Sequence, residues 1–345
     1  MLRVVHILGS LRPSGMERML VSSRSHMESA GVKGFIIAQG QSHPYLPDLV
    51  RAGFSVHTVP SITSLGGALR LARLLCQIEP DVVHIHTEGG YGVSAAVSRI
   101  AVARNARLIR TIHNVFRPTS LRGRLSRRAQ FVLGDRLVDY VVSVSHDVHQ
   151  NELSYGRSSI CIMNWVDDRF QKVAQVQTAN EFLVTVVGNC SHIKNHGPVV
   201  SAVRRLTDCS LAHLGDEGDI GIPESCMLDS LSKSSQLAAR GVRDPLEILK
   251  ITSVFCMPSK NEGMGIALAE AICAGVPCLI SDAPGLSWAK IFDGVETVSS
   301  ENGWCDAIAQ TRAKYGSGKR FVRDVSLLSA ENGVRDYLSL YRGDV

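Results

Sequence analysis

The chain has 345 residues, of which 45% are hydrophobic and 20% are charged, and its formal net charge is +5. A chain of this length can form two domains, and its composition excludes an intrinsically disordered protein. No apolar run approaches the roughly 18 residues of a membrane span, and the first one is too short for a signal peptide, so we expect a cytoplasmic protein.

The positive charge lies in the first half of the chain. Residues 1–170 carry 20 Lys and Arg against 12 Asp and Glu, whereas residues 171–345 carry 17 against 20. Such a basic half is typical of contact with nucleic acid or lipid headgroups, although a solvated basic face gives the same count. The nine cysteines are scattered and form no CxxC pair. We therefore predict reduced thiols and no zinc site.

Short Val- and Ile-rich runs alternate with helical patterns along the first half. The predicted strands are 3–8, 34–39, 54–60, 81–87, 107–113, 140–145 and 158–164. The predicted helices are 15–31, 64–80 and 91–104. Buried runs separated by helices indicate a parallel sheet that is covered on both faces.

The same alternation restarts after a polar stretch at 167–180. Predicted strands follow at 181–189, 209–215, 253–259 and 276–282, and predicted helices at 195–206, 302–315 and 325–341. The fold class is therefore α/β, with two Rossmann-like, doubly wound domains that face each other across a cleft. We expect the following parts: a first Rossmann-like domain at 1–166, a linker at 167–180, a second Rossmann-like domain at 181–324, and a C-terminal helix within 325–345 that packs back toward the first domain.

Two glutamates flank a glycine pair in the stretch after the strand predicted at 253–259. Glu262 falls in the loop at the carboxyl end of this strand, where ligands of such sheets bind. A helix begins near Gly265, and its N-terminal N–H groups favour a phosphate. Glu270 lies in an apolar part of this helix, where a buried carboxylate needs hydrogen-bond donors such as sugar hydroxyls. A solvent-facing Glu270 is the alternative, because helices tolerate glutamate well.

The segment "PSKNEGMGIALAEAICAGVPCLISD" (258–282) resembles the signature of the retaining family-4 glycosyltransferases, which have the GT-B fold and a Glu-x7-Glu motif. The resemblance implies that 1–166 is the acceptor-side domain and 181–324 the nucleotide-sugar-binding domain. It also implies that Glu262 contacts the donor sugar and Glu270 the ribose of the nucleotide. It also implies three residues whose backbone holds phosphate and sugar: Met264, Gly265 and Ile266.

A second segment, "VVGNCSHIKNHG" (186–197), resembles the family's diphosphate-binding loop. Lys194 then neutralises the departing diphosphate as a point charge. Asn189 stands where the family usually has arginine, so it offers a hydrogen bond without a charge. A solvated surface lysine is the alternative interpretation of Lys194.

Two segments of the first half also resemble the family. "RLIRTIHN" (107–114) ends a strand at His113, which the resemblance places against the donor sugar. "GSLRPSGMERML" (9–20) resembles the first glycine loop, with Ser14 in place of the first glycine, and Gly15 there admits acceptor or diphosphate close to the backbone.

Further candidates rest on position alone. Gly215, Val242 and Arg243 fall where the family has nucleotide-contacting loops.

His84 and His86 share one strand face, so they are a possible metal pair, but without a third ligand a core role is favoured. The family usually has a glutamate where this chain has Leu286-Ser287-Trp288.

The segment 117–136 is basic and helical in pattern. One face carries apolar residues, namely Leu121, Leu125, Ala129, Val132 and Leu133, and arginines flank it at 122, 124, 127 and 128. Such a basic amphipathic helix is typical of peripheral contact with the inner face of a membrane. The alternative is a helix that packs its apolar face on the sheet and leaves its arginines in solvent.

These observations predict a retaining glycosyltransferase that moves a hexosyl or N-acetylhexosaminyl group from a UDP- or GDP-linked sugar to an acceptor hydroxyl, with neither metal nor cofactor. The resemblance favours exopolysaccharide or other surface glycans as the product, with a glycan, lipid-linked or small-molecule acceptor, and a natural-product acceptor stays open. The alternatives are a sugar-nucleotide epimerase of the same fold and a non-catalytic sugar-nucleotide-binding subunit. A nicotinamide dehydrogenase is disfavoured because no GxGxxG follows a strand, and nucleic-acid binding because the basic half has no aromatic array.

Overall fold

The computed structural model describes residues 1–118, 120–172, 181–218 and 223–344, with the side chains at 126 and 133 left aside. It divides into two compact units, the first formed by Met1–Trp165 and Ser329–Val345 and the second by Val166–Leu328. Of the predicted linker, residues 173–180 lie outside the described ranges.

The first unit contains a seven-stranded sheet with the order β3-β2-β1-β4-β5-β6-β7, and every pair of neighbours is parallel. Its strands are β1 (Leu2–Leu8), β2 (Val32–Gln39), β3 (Ser55–Val59), β4 (Val82–Ile85), β5 (Arg107–Ile112), β6 (Tyr140–Ser143) and β7 (Ile160–Cys161). Its helices are α1 (Gly15–Ser29), α2 (Leu46–Arg51), α3 (Leu65–Ile78), α4 (Tyr91–Ala101), α5 (Leu121–Gly134), α6 (His146–Ser154) and the final helix α12 (Ala330–Arg342).

The second unit contains a six-stranded parallel sheet with the order β10-β9-β8-β11-β12-β13. Its strands are β8 (Phe182–Val187), β9 (Cys209–Leu214), β10 (Leu237–Arg240), β11 (Val254–Met257), β12 (Cys278–Ser281) and β13 (Val295–Val298). Its helices are α7 (Gly197–Arg205), α8 (Pro223–Lys233), α9 (Pro245–Leu249), α10 (Ile266–Cys273) and α11 (Trp304–Tyr315). In both sheets the strand order reverses at the first strand, as in the Rossmann arrangement.

Each sheet is buried by helices on its faces, which explains the continuous apolar runs of its strands. In the first unit, one face packs on a cluster that includes Val5, Ile37 and Leu71. The other face meets α12 through Tyr337 and Tyr341. The indole N–H of Trp165 donates to the Met19 carbonyl at 3.0 Å, which fixes the end of this unit's chain against α1.

The structure confirms every strand predicted from the sequence and adds two that the pattern missed. β10 and β13 lie at the two edges of the second sheet, have four residues each, and are only partly buried. An edge strand buries less of its surface, so its sequence carries a weaker apolar signal. The pattern also missed four helices, α2, α6, α8 and α9, because their apolar signal is weak. No helix within the described ranges is both long and apolar enough to span a bilayer.

Candidate active site

A half-buried ion pair lies at the carboxyl ends of two strands of the second sheet. The Lys194 ammonium donates to Oε1 of Glu262 at 2.7 Å, and the Ser259 hydroxyl donates to the same oxygen at 2.7 Å. Glu262 is only 9% exposed. The pair joins the loop after β8 to the loop after β11, so the fold brings together two residues separated by 67 others. A lysine ammonium has three N–H groups, so its bond to Glu262 leaves donor capacity for a ligand.

Helix α10 begins at Ile266, in the segment that follows Glu262, and its N-terminus lacks a side-chain cap. Gly265 occupies the N-cap position with φ +75°. First-turn N–H groups that no side chain caps, together with the helix dipole, form a favourable environment for an anion. The indole N–H of Trp288 donates to the carbonyls of Met264 (2.8 Å) and Gly285 (3.1 Å). Trp288 therefore fixes the backbone of the loop that leads into α10, which accounts for a residue that the sequence left unexplained.

Glu270 lies within α10 and is buried, at 3% exposure. The solvent-facing alternative is therefore wrong. Burial lowers the pKa of Arg169, but the hydrogen bond to Asp244 and nearby carboxylates raise it overall. Glu270 is one of these carboxylates, so it interacts electrostatically with the Arg169 guanidinium. Arg169 also pairs with Asp244 at 2.6 Å. The sequence analysis did not identify Arg169, because nothing in the pattern relates residue 169 to α10.

The remaining candidates of the second unit lie in neighbouring loops. Asn189 is exposed, and its Oδ1 accepts a hydrogen bond from the Asp216 amide at 2.9 Å. Gly215 packs so closely that an added Cβ would lie 2.1 Å from the carbonyl oxygen of Gly188. Asn189 and Gly215 thus hold the loops after β8 and β9 together. Arg243 is exposed, and its Nε donates to the Arg240 carbonyl at 3.3 Å.

In the first unit, His113 stands at the end of a chain of imidazoles. Its Nε2 lies 3.0 Å from Nδ1 of His86, and Nε2 of His86 lies 3.0 Å from Nδ1 of His6. Burial and, secondarily, the charge of Arg110 lower the pKa of His113 to about 4, so the ring is neutral at physiological pH. A neutral imidazole can donate or accept one hydrogen bond at each nitrogen, which suits contact with a sugar hydroxyl.

Gly15 is the first residue of α1, and Ser14 precedes it as the N-cap. The Ser14 hydroxyl donates to the carboxylate of Glu17, which is 2% exposed. Burial raises the pKa of Glu17, while the Ser14 hydrogen bond opposes that shift. Ser14 therefore satisfies a buried carboxylate at the helix start. The sequence could indicate this contact only through the Ser-x-x-Glu spacing.

Helix α5 does not follow the alternative in which its apolar face packs on the sheet and its arginines lie in solvent. Its apolar residues Leu121 and Leu125 are 77% and 68% exposed. The side chain of Arg127 is buried instead. Its guanidinium pairs with the carboxylate of Glu152, which also pairs with Arg157. The helix is thus attached through a buried charge network and presents a leucine row to solvent.

Sequence comparison relates the chain to known enzymes. Residues 13–169 match the model of Glycosyltransferase Family 4, and residues 167–289 match the model of Glycosyl transferases group 1. The chain is 22% identical to "Putative glycosyltransferase EpsF" of Bacillus subtilis (strain 168), over 93% of this chain and 91% of that protein. It is 23% identical to the N-acetyl-alpha-D-glucosaminyl L-malate synthase of Bacillus anthracis, over 70% of this chain and 67% of that protein.

Solved structures give the same fold. The crystal structure of Anabaena Alr3699/HepE in complex with UDP-glucose superposes with a TM-score of 0.74 at 15% identity, over 99% of this chain and 95% of that one. The two family matches together extend from residue 13 to residue 289. The chain belongs to the family-4 glycosyltransferases and has the GT-B fold of two Rossmann-like units.

Proposed function

We propose that the enzyme transfers a sugar from a nucleotide diphosphate sugar to an acceptor hydroxyl with retention at the anomeric carbon. The observation that carries the proposal is the half-buried Lys194–Glu262 pair, which lies in the loops that precede α7 and α10, together with the buried Glu270 inside α10. The cation and the helix N-terminus provide partners for a diphosphate, and the two carboxylates provide partners for a sugar and a ribose.

Each group has a distinct task in this reaction. Lys194 and the first-turn N–H groups of α10 stabilise the diphosphate as it leaves with the electron pair of the bond to the anomeric carbon. Glu262 orients the donor sugar, and Glu270 accepts hydrogen bonds from the ribose. His113, as a neutral imidazole, contacts the sugar. The acceptor oxygen forms its bond on the face from which the diphosphate departs, and its proton passes to the departing phosphate oxygen.

The donor is proposed to be a UDP-sugar, with a GDP-sugar as the second choice. The support is the structure of HepE, which contains UDP-glucose and shares this fold over nearly the whole chain. The charge of the leaving group is met here by protein groups, so we propose that transfer needs no divalent metal at the donor.

Two acceptor classes have support. A surface-glycan or exopolysaccharide intermediate on a lipid carrier is favoured by the exposed leucine row beside the arginines of α5. A small hydroxy acid is favoured by the relative whose name states transfer of N-acetylglucosamine to L-malate. We place the lipid-linked acceptor first because the α5 surface belongs to this chain itself.

The purified chain is expected to show a higher melting temperature with one class of nucleotide sugar, since a ligand that binds only the folded state stabilises it. The panel comprises UDP-glucose, UDP-N-acetylglucosamine and GDP-mannose, followed by measurement of nucleotide release with membrane lipid extract or L-malate as acceptor. We expect acceptor-dependent release that added Mg²⁺ or Mn²⁺ does not increase, and a product whose anomeric configuration by NMR matches that of the donor.

Other results identify the alternatives. Conversion of the donor without acceptor is the behaviour of an epimerase, and donor binding without release under any acceptor is that of a non-catalytic subunit. An inverted product would contradict the retaining mechanism, and a requirement for added divalent metal would contradict the metal-independent donor site.

We propose that α5 contacts an anionic membrane surface. Four apolar side chains of this region are exposed, namely Phe116, Leu121, Leu125 and Val132. Three arginines are exposed beside them, namely Arg122, Arg124 and Arg128. Apolar residues of this kind enter the interfacial region while flanking arginines attract anionic lipids.

The double variant Leu121→Ser/Leu125→Ser is expected to weaken binding to phosphatidylglycerol-containing vesicles by roughly tenfold in a sedimentation assay, because two exposed leucines that would enter the membrane interface are lost. Leu65→Ser/Leu69→Ser in α3 is the matched control, since both leucines are exposed with the same spacing in the same unit. Equal weakening by both variants, or binding as strong to uncharged phosphatidylcholine vesicles, would contradict the assignment to α5.

A further inference from the structure

Three metal-ligating side chains meet in the interior of the second unit. Cys190 lies in the loop after β8, His196 caps α7, and His213 lies near the end of β9. They are 6%, 2% and 0% exposed, and one ligand atom from each lies within 4.8 Å of the other two. None of the three was identified from the sequence, and the sugar-transfer chemistry proposed above does not use them.

Two of the three ligand-to-ligand distances within this Cys-His-His cluster are close to the edge lengths of a tetrahedral ligand shell. Nε2 of His213 lies 3.2 Å from Nδ1 of His196 and 3.4 Å from the sulfur of Cys190. With zinc bonds of about 2.0–2.1 Å to nitrogen and about 2.3 Å to sulfur, tetrahedral geometry requires roughly 3.3 Å between two nitrogens and roughly 3.6 Å between nitrogen and sulfur.

Hydrogen bonding alone leaves the cluster incompletely satisfied. Nε2 of His213 faces both neighbours, but an imidazole nitrogen has one proton or one lone pair in its ring plane, so it can serve only one of them well. A cation at the centre would engage the sulfur and both nitrogens together.

The histidines of the first unit provide a contrast. His6, His84 and His86 also approach one another closely. There, however, both ring nitrogens of His84 bond hydroxyl groups, at 2.8 Å and 2.7 Å. Both ring nitrogens of His86 bond other histidines. Hydrogen bonds account for that cluster, so we assign it no metal.

The charge around Cys190 also suits a divalent cation. Glu224 contacts the Cys190 thiol, and its carboxylate accepts hydrogen bonds from the amides of Ser191 (3.1 Å) and Gly197 (3.3 Å). One thiolate and one carboxylate balance the two charges of the ion. Two imidazoles and a thiolate in tetrahedral geometry form a ligand set typical of zinc.

We propose that Cys190, His196 and His213 bind a Zn²⁺ ion, with Glu224 beside the sulfur and a solvent molecule in the fourth position. Cys190 and His196 lie at the two ends of the segment that contains Lys194, and His213 anchors them to β9. The ion therefore holds in place the loop that presents the lysine, without taking part in sugar transfer. This inference does not depend on the donor or acceptor.

The test uses the full chain without a polyhistidine tag, purified in the absence of chelators. We expect about one zinc per chain by mass spectrometry of the metal content, and much less in Cys190→Ala. Cys256→Ala is the matched control, because Cys256 is also a buried cysteine of the second sheet and should leave the zinc content unchanged. Replacement of zinc by Co²⁺ should give visible bands of tetrahedral cobalt and a thiolate charge-transfer band that Cys190→Ala lacks.

A second measurement covers the possibility that Cys190→Ala does not fold. Wild-type protein stripped of metal should gain about 5–10 °C in melting temperature when Zn²⁺ is added to saturation. Purified protein with less than about one zinc per ten chains and no thermal response to added Zn²⁺ would overturn the proposal. So would equal zinc content in the wild type and a folded Cys190→Ala variant.

Discussion

Replacement of Lys194 by methionine is expected to lower the rate of sugar transfer by roughly 10²- to 10³-fold, the usual cost of removing one group that stabilises charge in the transition state. Stability should also fall, because Glu262 is buried and loses the cation that compensates its charge. The loss should be about 1–3 kcal/mol, since the Ser259 hydroxyl still donates to the carboxylate.

The double variant Lys194→Met/Glu262→Gln separates these two effects. Removing both charges leaves no uncompensated ion, so unfolding measurements should show part of the stability regained. Activity should stay as low as in the single variants Lys194→Met and Glu262→Gln, because residues that act as one unit lose their contributions together.

Lys314→Met is the control for this series. Lys314 pairs with Glu296 at 2.9 Å, but both side chains are largely exposed, so its removal should change neither rate nor stability appreciably. Turnover by Lys194→Met within about threefold of the wild type would show that Lys194 does not serve the departing diphosphate.

Gly285→Ala is expected to destabilise the second unit and to abolish most transfer activity. Gly285 has φ +85°, and an added Cβ would lie 2.1 Å from the carbonyl oxygen of Glu262. Relief of that contact requires movement of the backbone that carries the glutamate, and the positive φ adds strain. We expect a loss of roughly 2–4 kcal/mol in chemical unfolding and a rate loss of at least about tenfold.

Gly316→Ala separates backbone strain from the steric contact. Gly316 also has a positive φ, of +63°, but an added Cβ meets nothing within 4 Å, and the residue follows α11, away from the loops of the site. It should lose stability through strain alone and keep its specific activity in the folded fraction. The interpretation of Gly285 fails if both variants lose stability and activity equally.

Much of the architecture could be predicted from the sequence. β1 and β8 are mostly apolar, and such runs separated by amphipathic helices indicate buried parallel strands. The motif around Glu262 also indicated the position of α10, because a strand end, a glycine pair and an apolar helix follow each other within one short segment.

The pattern failed where the signal was weak or ambiguous. β13 has only four residues and is largely exposed, so its alternation is too short to recognise. In α5 the apolar positions were identified, but periodicity cannot determine whether such a face packs on a sheet or meets solvent. The buried contacts of Arg127 with Glu152 decide it, and they join residues from two different helices.

The sequence by itself therefore determined the fold class, the positions of most strands and helices, and the segments that resemble a nucleotide-sugar site, because these features are encoded in the order of neighbouring residues. Only the tertiary structure decided which side chains meet. The contact of Lys194 with Glu262 and the cluster of Cys190, His196 and His213 join loops that are distant in the chain. Parallel strand order places the carboxyl ends of those strands at one edge of the sheet, and spacing along the chain contains no measure of that proximity.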